Sequence, residues 1–170
     1  MRDKVLVAYG STNGSTARIA GTVAEVLREK GTAAEVLPAR SVTDVKPYDA
    51  VVVGGGLYAG RWHRDARRFV RRFRGELRLR PVAFFSSGPL DASAQARDIP
   101  PAPGVRRVMR RLDVTEHVTF GGCLQEGARG RVAGMILRSG KGGDFRDFRA
   151  IESWAAGLVE ELAMGRTARR

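Results

Sequence analysis

Short apolar segments alternate with amphipathic segments of helical period along this chain. Each apolar segment is rich in β-branched residues and is followed by turn residues, which is the pattern of a buried strand. The five predicted strands cover 4–9, 32–39, 49–56, 81–88 and 117–124. The predicted helices cover 15–30, 64–75, a region through Val105 and Leu112, and a closing segment that begins near Asp144 or Asp147.

Strict alternation of strand and helix predicts a doubly wound, three-layer α/β sandwich with a five-stranded parallel sheet. At 170 residues and 43% hydrophobic content, the chain has the size of one domain with a sizeable core. We expect that domain to cover 1–164 and the last residues, 165–170, to form a disordered tail.

Cysteine usage and hydropathy bear on the cellular setting. Cys123 is the single cysteine, so no intramolecular disulfide can form. No leader-like segment and no apolar run approaching about 20 residues is present. We therefore expect a soluble, cytoplasmic protein that is at most peripheral at the inner face of a membrane.

The formal net charge of +12 favours acidic partners such as nucleic acid, anionic lipid or anionic small molecules. The basic residues are overwhelmingly arginine and are spread over several segments. A biased codon usage together with a solvated surface explains the same composition equally well.

A stretch of neutral donors, "GSTNGST", follows the first strand and enters the first predicted helix. Free N–H groups at a helix N-terminus and nearby hydroxyls favour an anion, and a glycine allows it to approach closely. The stretch lacks the lysine of a nucleotide-triphosphate loop, so it favours a phosphate monoester over ATP with magnesium. An ordinary Ser/Thr helix cap is the alternative.

The segment "YGSTNGSTARIA" resembles the phosphate-loop fingerprint of flavodoxins, with Asn13 at a position that is usually threonine. The resemblance implies a flavodoxin-like fold and an FMN cofactor whose phosphate lies in this loop. The residues implied to bind it are Ser11, Thr12, Asn13, Gly14, Ser15 and Thr16.

Two further loops extend the resemblance. "GGGLYAGRWHRDARRFV" is similar to the corresponding stretch of the menaquinone-dependent protoporphyrinogen oxidase branch of flavodoxin-like proteins, and "FFSSGPLD" to the second flavin-contacting loop. A backbone group near residues 59–60 is implied to bond the flavin N5 atom. The implied flavin contacts are Leu57, Tyr58, Ala59, Gly60, Ser86, Ser87, Gly88 and Leu90.

Several side chains keep two interpretations. Trp62 either flanks the flavin or packs at the sheet edge, and His63 is either a proton donor or, more often at such a position, a helix cap or surface group. His117 and Cys123 are interpreted as structural. We predict no metal site and no conventional catalytic residue, since the cofactor carries the chemistry.

Three functions follow from these patterns. The first is an FMN-dependent oxidoreductase that resembles the protoporphyrinogen oxidases of heme biosynthesis and uses a quinone acceptor. An anionic porphyrinogen would suit a basic rim formed by Arg61, Arg64, Arg106 and Arg107. The second is a non-catalytic electron carrier that docks on an acidic redox protein, and the third is a flavin-free nucleic-acid-binding protein, which only the charge supports.

Two departures from typical flavodoxins matter. Acids near the third loop are few, namely Asp91 and Asp98, so a higher reduction potential than in acidic flavodoxins is expected. The segment 125–143 carries Val132, Met135 and Ile136 among basic residues. It suits either a small core helix, which we favour, or shallow contact with anionic lipid.

Overall fold

The central element of the protein is a parallel β-sheet. The computed structural model describes residues 3–88, 97–124, 134, 135, 138, 140 and 143–168. Five parallel strands lie in the order β2-β1-β3-β5-β6. The strands are β1 (Lys4–Gly10), β2 (Ala33–Pro38), β3 (Ala50–Tyr58), β4 (Arg61–Trp62, antiparallel to β3), β5 (Val82–Ser87) and β6 (Glu116–Phe120).

Helices cover both faces of the sheet, which confirms the doubly wound sandwich. The helices are α1 (Ser15–Glu29), α2 (Arg64–Arg72), α3 (Arg74–Leu77), α4 (Pro103–Leu112) and α5 (Phe148–Ala168). Within the described part of the chain, no helix combines the length and the apolar character that a bilayer crossing requires.

Alternation of side chains along the buried strands builds two separate cores. Leu6, Val53 and Phe84 point to the layer formed by α2, α3 and α4. Their neighbours Val7 and Phe85 point to the layer formed by α1 and α5. The strands can be apolar on both faces because each face is covered by helices.

The chain order places a switch point between β1 and β3. From β1 the chain moves outward to β2, then returns past β1 to form β3 on its other side. The connections that leave the carboxyl ends of β1 and β3 therefore diverge, and ligands of open α/β sheets bind in the crevice between such connections.

The strand predicted at 117–124 is wrong in its second half. Strand β6 ends at Phe120, and Cys123–Leu124 form β7, which pairs with β8 (Gly143–Asp144) in a separate two-stranded sheet. The chain leaves the main sheet at Gly121, where an added Cβ would lie 2.0 Å from the Phe145 carbonyl oxygen. Only glycine permits that close backbone approach.

The predicted helix ends are confirmed with two adjustments. The helix predicted at 64–75 is interrupted at Phe73, which separates α2 from α3. Asp147 is the cap of α5, since its Oδ1 accepts from the Ala150 N–H at 3.2 Å. This helix continues through Ala168, into the segment predicted as a tail, and residues 169–170 lie outside the described part.

The segment 125–143 is described only in part. Met135 is 58% exposed, whereas Val132 and Ile136 lie outside the described residues. The core-helix and lipid-contact interpretations of this segment both stay predictions.

Candidate functional site

The three loops predicted to bind the cofactor meet at the carboxyl edge of the sheet. The Oγ1 atom of Thr16 lies 3.2 Å from where a Cβ at Gly56 would stand, which joins the first loop to β3. A Cβ at Gly88 would lie 2.8 Å from Leu57 Cδ1, which joins the third loop to the second. The predicted residues that the structure describes therefore form one contiguous region.

The N-terminus of α1 has no side-chain cap. Gly14 occupies the cap position with φ of 84°, and it has no side chain that could accept from the first-turn N–H groups. The Ser11 hydroxyl instead accepts from the Gly14 N–H at 2.9 Å, inside the loop. The first turn also contains no acidic residue. This arrangement contradicts the ordinary-cap alternative and leaves backbone donors and the positive end of the helix dipole for an anion.

A tight turn connects β3 to β4 at the second loop. Tyr58 pairs with Arg61, and the two residues between them, Ala59 and Gly60, have φ of 51° and 74°. Positive φ at both positions is the geometry of a type I′ hairpin turn. Alanine adopts this conformation at a cost of about 1 kcal/mol, so the surrounding strands hold the turn in place.

His63 links α2 to the phosphate loop. Its Nδ1 atom accepts from the Asp65 N–H at 3.1 Å, so His63 caps α2, as the sequence favoured. Nδ1 is therefore unprotonated, and Nε2 carries the hydrogen that is donated to Thr12 Oγ1 at 3.0 Å. Burial lowers the pKa of His63, which favours this neutral form.

The two aromatic residues of the second loop lie in different surroundings. Trp62 is buried against Phe84, with ring centroids 4.9 Å apart, and belongs to the core under α2 and α4. The packing interpretation of Trp62 is therefore confirmed. Tyr58 is half-buried and stands edge-on to His63, with centroids 6.5 Å apart.

The third loop places its two serines at the buried end of β5. The Ser86 side chain is fully buried, and its Oγ lies 2.9 Å from His117 Nε2. Ser87 is also buried, on the opposite face of the strand. A contact between Ser86 and a ligand would therefore involve its backbone. Leu90 lies outside the described residues.

His117 lies beside Ser86 of the third loop, whereas Cys123 and Asp144 lie in the small two-stranded sheet. Burial lowers the pKa of His117 to about 4. Cys123 pairs with Asp144 in the small sheet, and burial raises the pKa of its thiol. The Asp144 carboxylate forms a salt bridge with Arg146, whose guanidinium lies 2.7 Å away. This interaction lowers the pKa of the Asp144 carboxyl group to about 2.

The region fits a phosphate monoester attached to a planar ring system. The uncapped α1 terminus and the hydroxyls of Ser11, Thr12 and Ser15 supply neutral donors for the phosphate. The backbone N–H and C=O groups of the turn at Ala59–Gly60 are exposed. FMN has a phosphate that needs the first set of donors and a ring system that can bond to the backbone groups of the turn.

Comparisons with known proteins agree with this fit. The profile of the Flavodoxin domain family matches residues 6–126. Protoporphyrinogen IX dehydrogenase [quinone] of Escherichia coli K12 is 31% identical over 85 residues, which are 49% of this chain and 47% of that protein. The chain thus matches about half the length of this curated relative.

Solved structures show the same fold. A flavodoxin from the domain Archaea superimposes with a TM-score of 0.63 at 14% identity, covering 94% of this chain and 99% of that one. The oxidised flavodoxin 1 of Bacillus cereus gives a TM-score of 0.62 at 16% identity, with the same coverage. The chain belongs to the Flavodoxin domain family, and its cofactor is FMN.

Proposed function

We propose that this protein is an FMN-dependent oxidoreductase that oxidises protoporphyrinogen IX and passes the electrons to a quinone. The observation that carries the proposal is the 31% identity over 85 residues to protoporphyrinogen IX dehydrogenase [quinone]. The basic surface around the β3–β4 turn supports it, since the substrate carries carboxylates.

The roles of this chain's residues in such a reaction are binding and orientation. FMN supplies the redox chemistry when it is bound. The α1 N-terminus and the hydroxyls of the first loop would hold its phosphate. Backbone groups at Ala59 and Gly60 would face the ring, and the adjacent Arg61 would attract the anionic substrate.

The test is an absorbance experiment on purified protein loaded with FMN. Under anaerobic conditions, protoporphyrinogen IX should bleach the flavin bands, and menaquinone should restore them. Bound FMN that responds to neither reagent would overturn the proposal and leave an electron carrier for an acidic redox protein. If protoporphyrinogen IX reduced the flavin but menaquinone did not reoxidise it, the quinone would no longer be the proposed electron acceptor.

A matched pair of variants tests the cofactor site itself. Thr12→Val removes a hydroxyl of the phosphate loop, whereas Thr22→Val removes one from the middle of α1, where it bonds the Arg18 carbonyl. Thr12→Val should weaken FMN binding about fivefold or more, because one hydrogen bond to a charged group is lost. Thr22→Val should leave FMN binding unchanged. Equal effects of the two variants would place the phosphate elsewhere.

A further inference from the structure

A groove between α2 and α4 lies beside the β3–β4 turn. Its volume is about 600 Å³, and Ala59 and Gly60 form one end of it. The floor is apolar, since the buried side chains of Val70, Val105 and Leu112 line it. The groove thus begins at the turn that is predicted to flank the flavin ring.

The walls of this groove are cationic. Among the described residues, six arginines line it and no acidic residue does: Arg61, Arg67, Arg71, Arg74, Arg107 and Arg111. All six are exposed. Among the described residues, the salt bridges involve none of them.

Helical spacing explains why the arginines face each other. Arg67 and Arg71 are separated by four residues on α2, and Arg107 and Arg111 are separated by four on α4, whereas Arg74 begins α3. Residues at these intervals lie on one side of a helix. Each helix therefore presents a row of like charges to the groove, an arrangement that opposes folding unless an anion occupies the space.

Charge on the rest of the molecule is distributed differently. Helices α2, α3 and α4 carry ten arginines and two acidic residues, whereas α1 and α5, on the opposite face, carry four arginines and five acidic residues. A uniform bias towards arginine would have given both helical layers a similar proportion of arginine to acidic residues. The clustering on one layer is therefore a property of this face and not of the composition alone.

We infer that the groove between α2 and α4 binds a small amphipathic organic anion with an apolar body and two or more carboxylate or phosphate groups. The apolar floor would hold the body, and the guanidinium rows would pair with the oxyanions in bidentate fashion. This inference rests on the proposed function in one respect only, namely that the ligand lies next to the flavin. A quinone, which is neutral, would gain nothing from the arginine rows.

Equilibrium binding to the FMN-loaded protein tests the inference. The probes are protoporphyrin IX, which has two carboxylates, its uncharged dimethyl ester, and NADPH as a phosphate-bearing anion. At least one of the two anions should bind, more weakly as salt increases, and the ester should bind about tenfold more weakly than protoporphyrin IX. Which anion binds more tightly distinguishes carboxylates from phosphates as the recognised groups.

Two quadruple variants with the same change in net charge separate the groove from general surface charge. The groove variant combines Arg67→Gln, Arg71→Gln, Arg107→Gln and Arg111→Gln. The control variant combines Arg68→Gln, Arg72→Gln, Arg97→Gln and Arg110→Gln, at exposed positions outside the groove lining.

Affinity for the anion should fall about tenfold or more in the groove variant and by less than about threefold in the control. Equal losses would show attraction by surface charge only, and equal binding of the acid and its ester would show a purely apolar site. Either result overturns the inference. Binding in the groove without oxidation of protoporphyrinogen IX would instead contradict the proposed function alone.

Discussion

His63 is the residue that connects a helix cap to the phosphate loop. It is 51 residues from Thr12 in sequence, yet its imidazole lies within hydrogen-bond distance of that hydroxyl. Because Nδ1 is used as an acceptor by the Asp65 N–H, only Nε2 can donate to Thr12. The Thr12 hydroxyl then accepts from His63, and its own hydrogen stays available for a phosphate oxygen.

The variant His63→Asn should separate these two roles. Asn is a good helix cap, so stability should change little, but its side chain is too short to reach Thr12. FMN affinity should fall about fivefold, which corresponds to about 1 kcal/mol for one lost hydrogen bond. Fluorescence titration of FMN and thermal unfolding measure the two effects.

A double-mutant cycle with Thr12→Val provides the control for His63. If His63 acts by orienting the Thr12 hydroxyl, the double variant should bind FMN about as weakly as Thr12→Val alone. Fully additive losses would contradict this orienting role. A large loss of stability in His63→Asn would show that the imidazole is needed for more than the cap.

Strands β5 and β6 are joined by a partly buried side-chain contact as well as by the backbone ladder. Ser86 Oγ and His117 Nε2 lie 2.9 Å apart on the face of the sheet that packs under α4. Burial holds the pKa of His117 at about 4, below its ordinary value of 6.5. The histidine is therefore neutral in the folded protein at pH 7.

This depressed pKa predicts a loss of stability in acid. Well above pH 6.5, His117 is neutral in both states and its titration costs nothing. As the pH falls from 6.5 towards 4, the unfolded state takes up the proton first, so the free energy of unfolding should decrease by up to about 3 kcal/mol. Urea unfolding at several pH values measures this decrease.

The variant His117→Gln measures how much of the loss of stability at low pH is due to protonation of this residue. Glutamine keeps a hydrogen-bonding group but cannot be protonated, so the variant should be slightly less stable than the natural chain at about pH 7.5. The difference should shrink or reverse at about pH 4.5. An unchanged difference between the two proteins at both pH values would contradict a buried neutral His117.

For the molecule as a whole, charge asymmetry sets the electrostatic environment of the cofactor. The arginine-rich layer formed by α2 and α4 borders the β3–β4 turn. Positive charge near a flavin favours its reduced, more negative state. We therefore predict that the final flavin couple has a higher reduction potential than in acidic flavodoxins.

Anaerobic redox titration measures that potential. Arg61→Glu, beside the turn, should lower it by about a few tens of millivolts, because a nearby charge is reversed. Lys30→Glu makes the same charge change after the end of α1, at the opposite edge of the sheet, and should have little effect. A strongly negative final couple in the natural protein, or equal shifts in both variants, would refute the electrostatic explanation.

The sequence by itself determined the layered fold and the place of the polar loop between β1 and α1. Apolar strands of the β1 and β3 type can only be buried between two helical layers, and a polar glycine loop between a strand and a helix is a local signal. The same local logic placed the start of the last helix near Asp144 or Asp147, of which Asp147 is the cap, and explains why Phe69 is buried. The pattern of apolar residues predicted a last strand that is too long, because it does not show that the chain leaves the sheet at Gly121, where two backbone segments approach closely.

Only the tertiary structure decided which distant side chains meet. The rim predicted from the sequence contained Arg61, Arg64, Arg106 and Arg107. The groove is lined by Arg61 and Arg107 of this set, and by Arg67, Arg71, Arg74 and Arg111 in place of Arg64 and Arg106. The rotation of two helices about their axes, fixed by how their apolar faces pack on the sheet, selects those residues. The contact between Thr12 and His63 has the same origin, since it depends on a crossover between strands that no local pattern encodes.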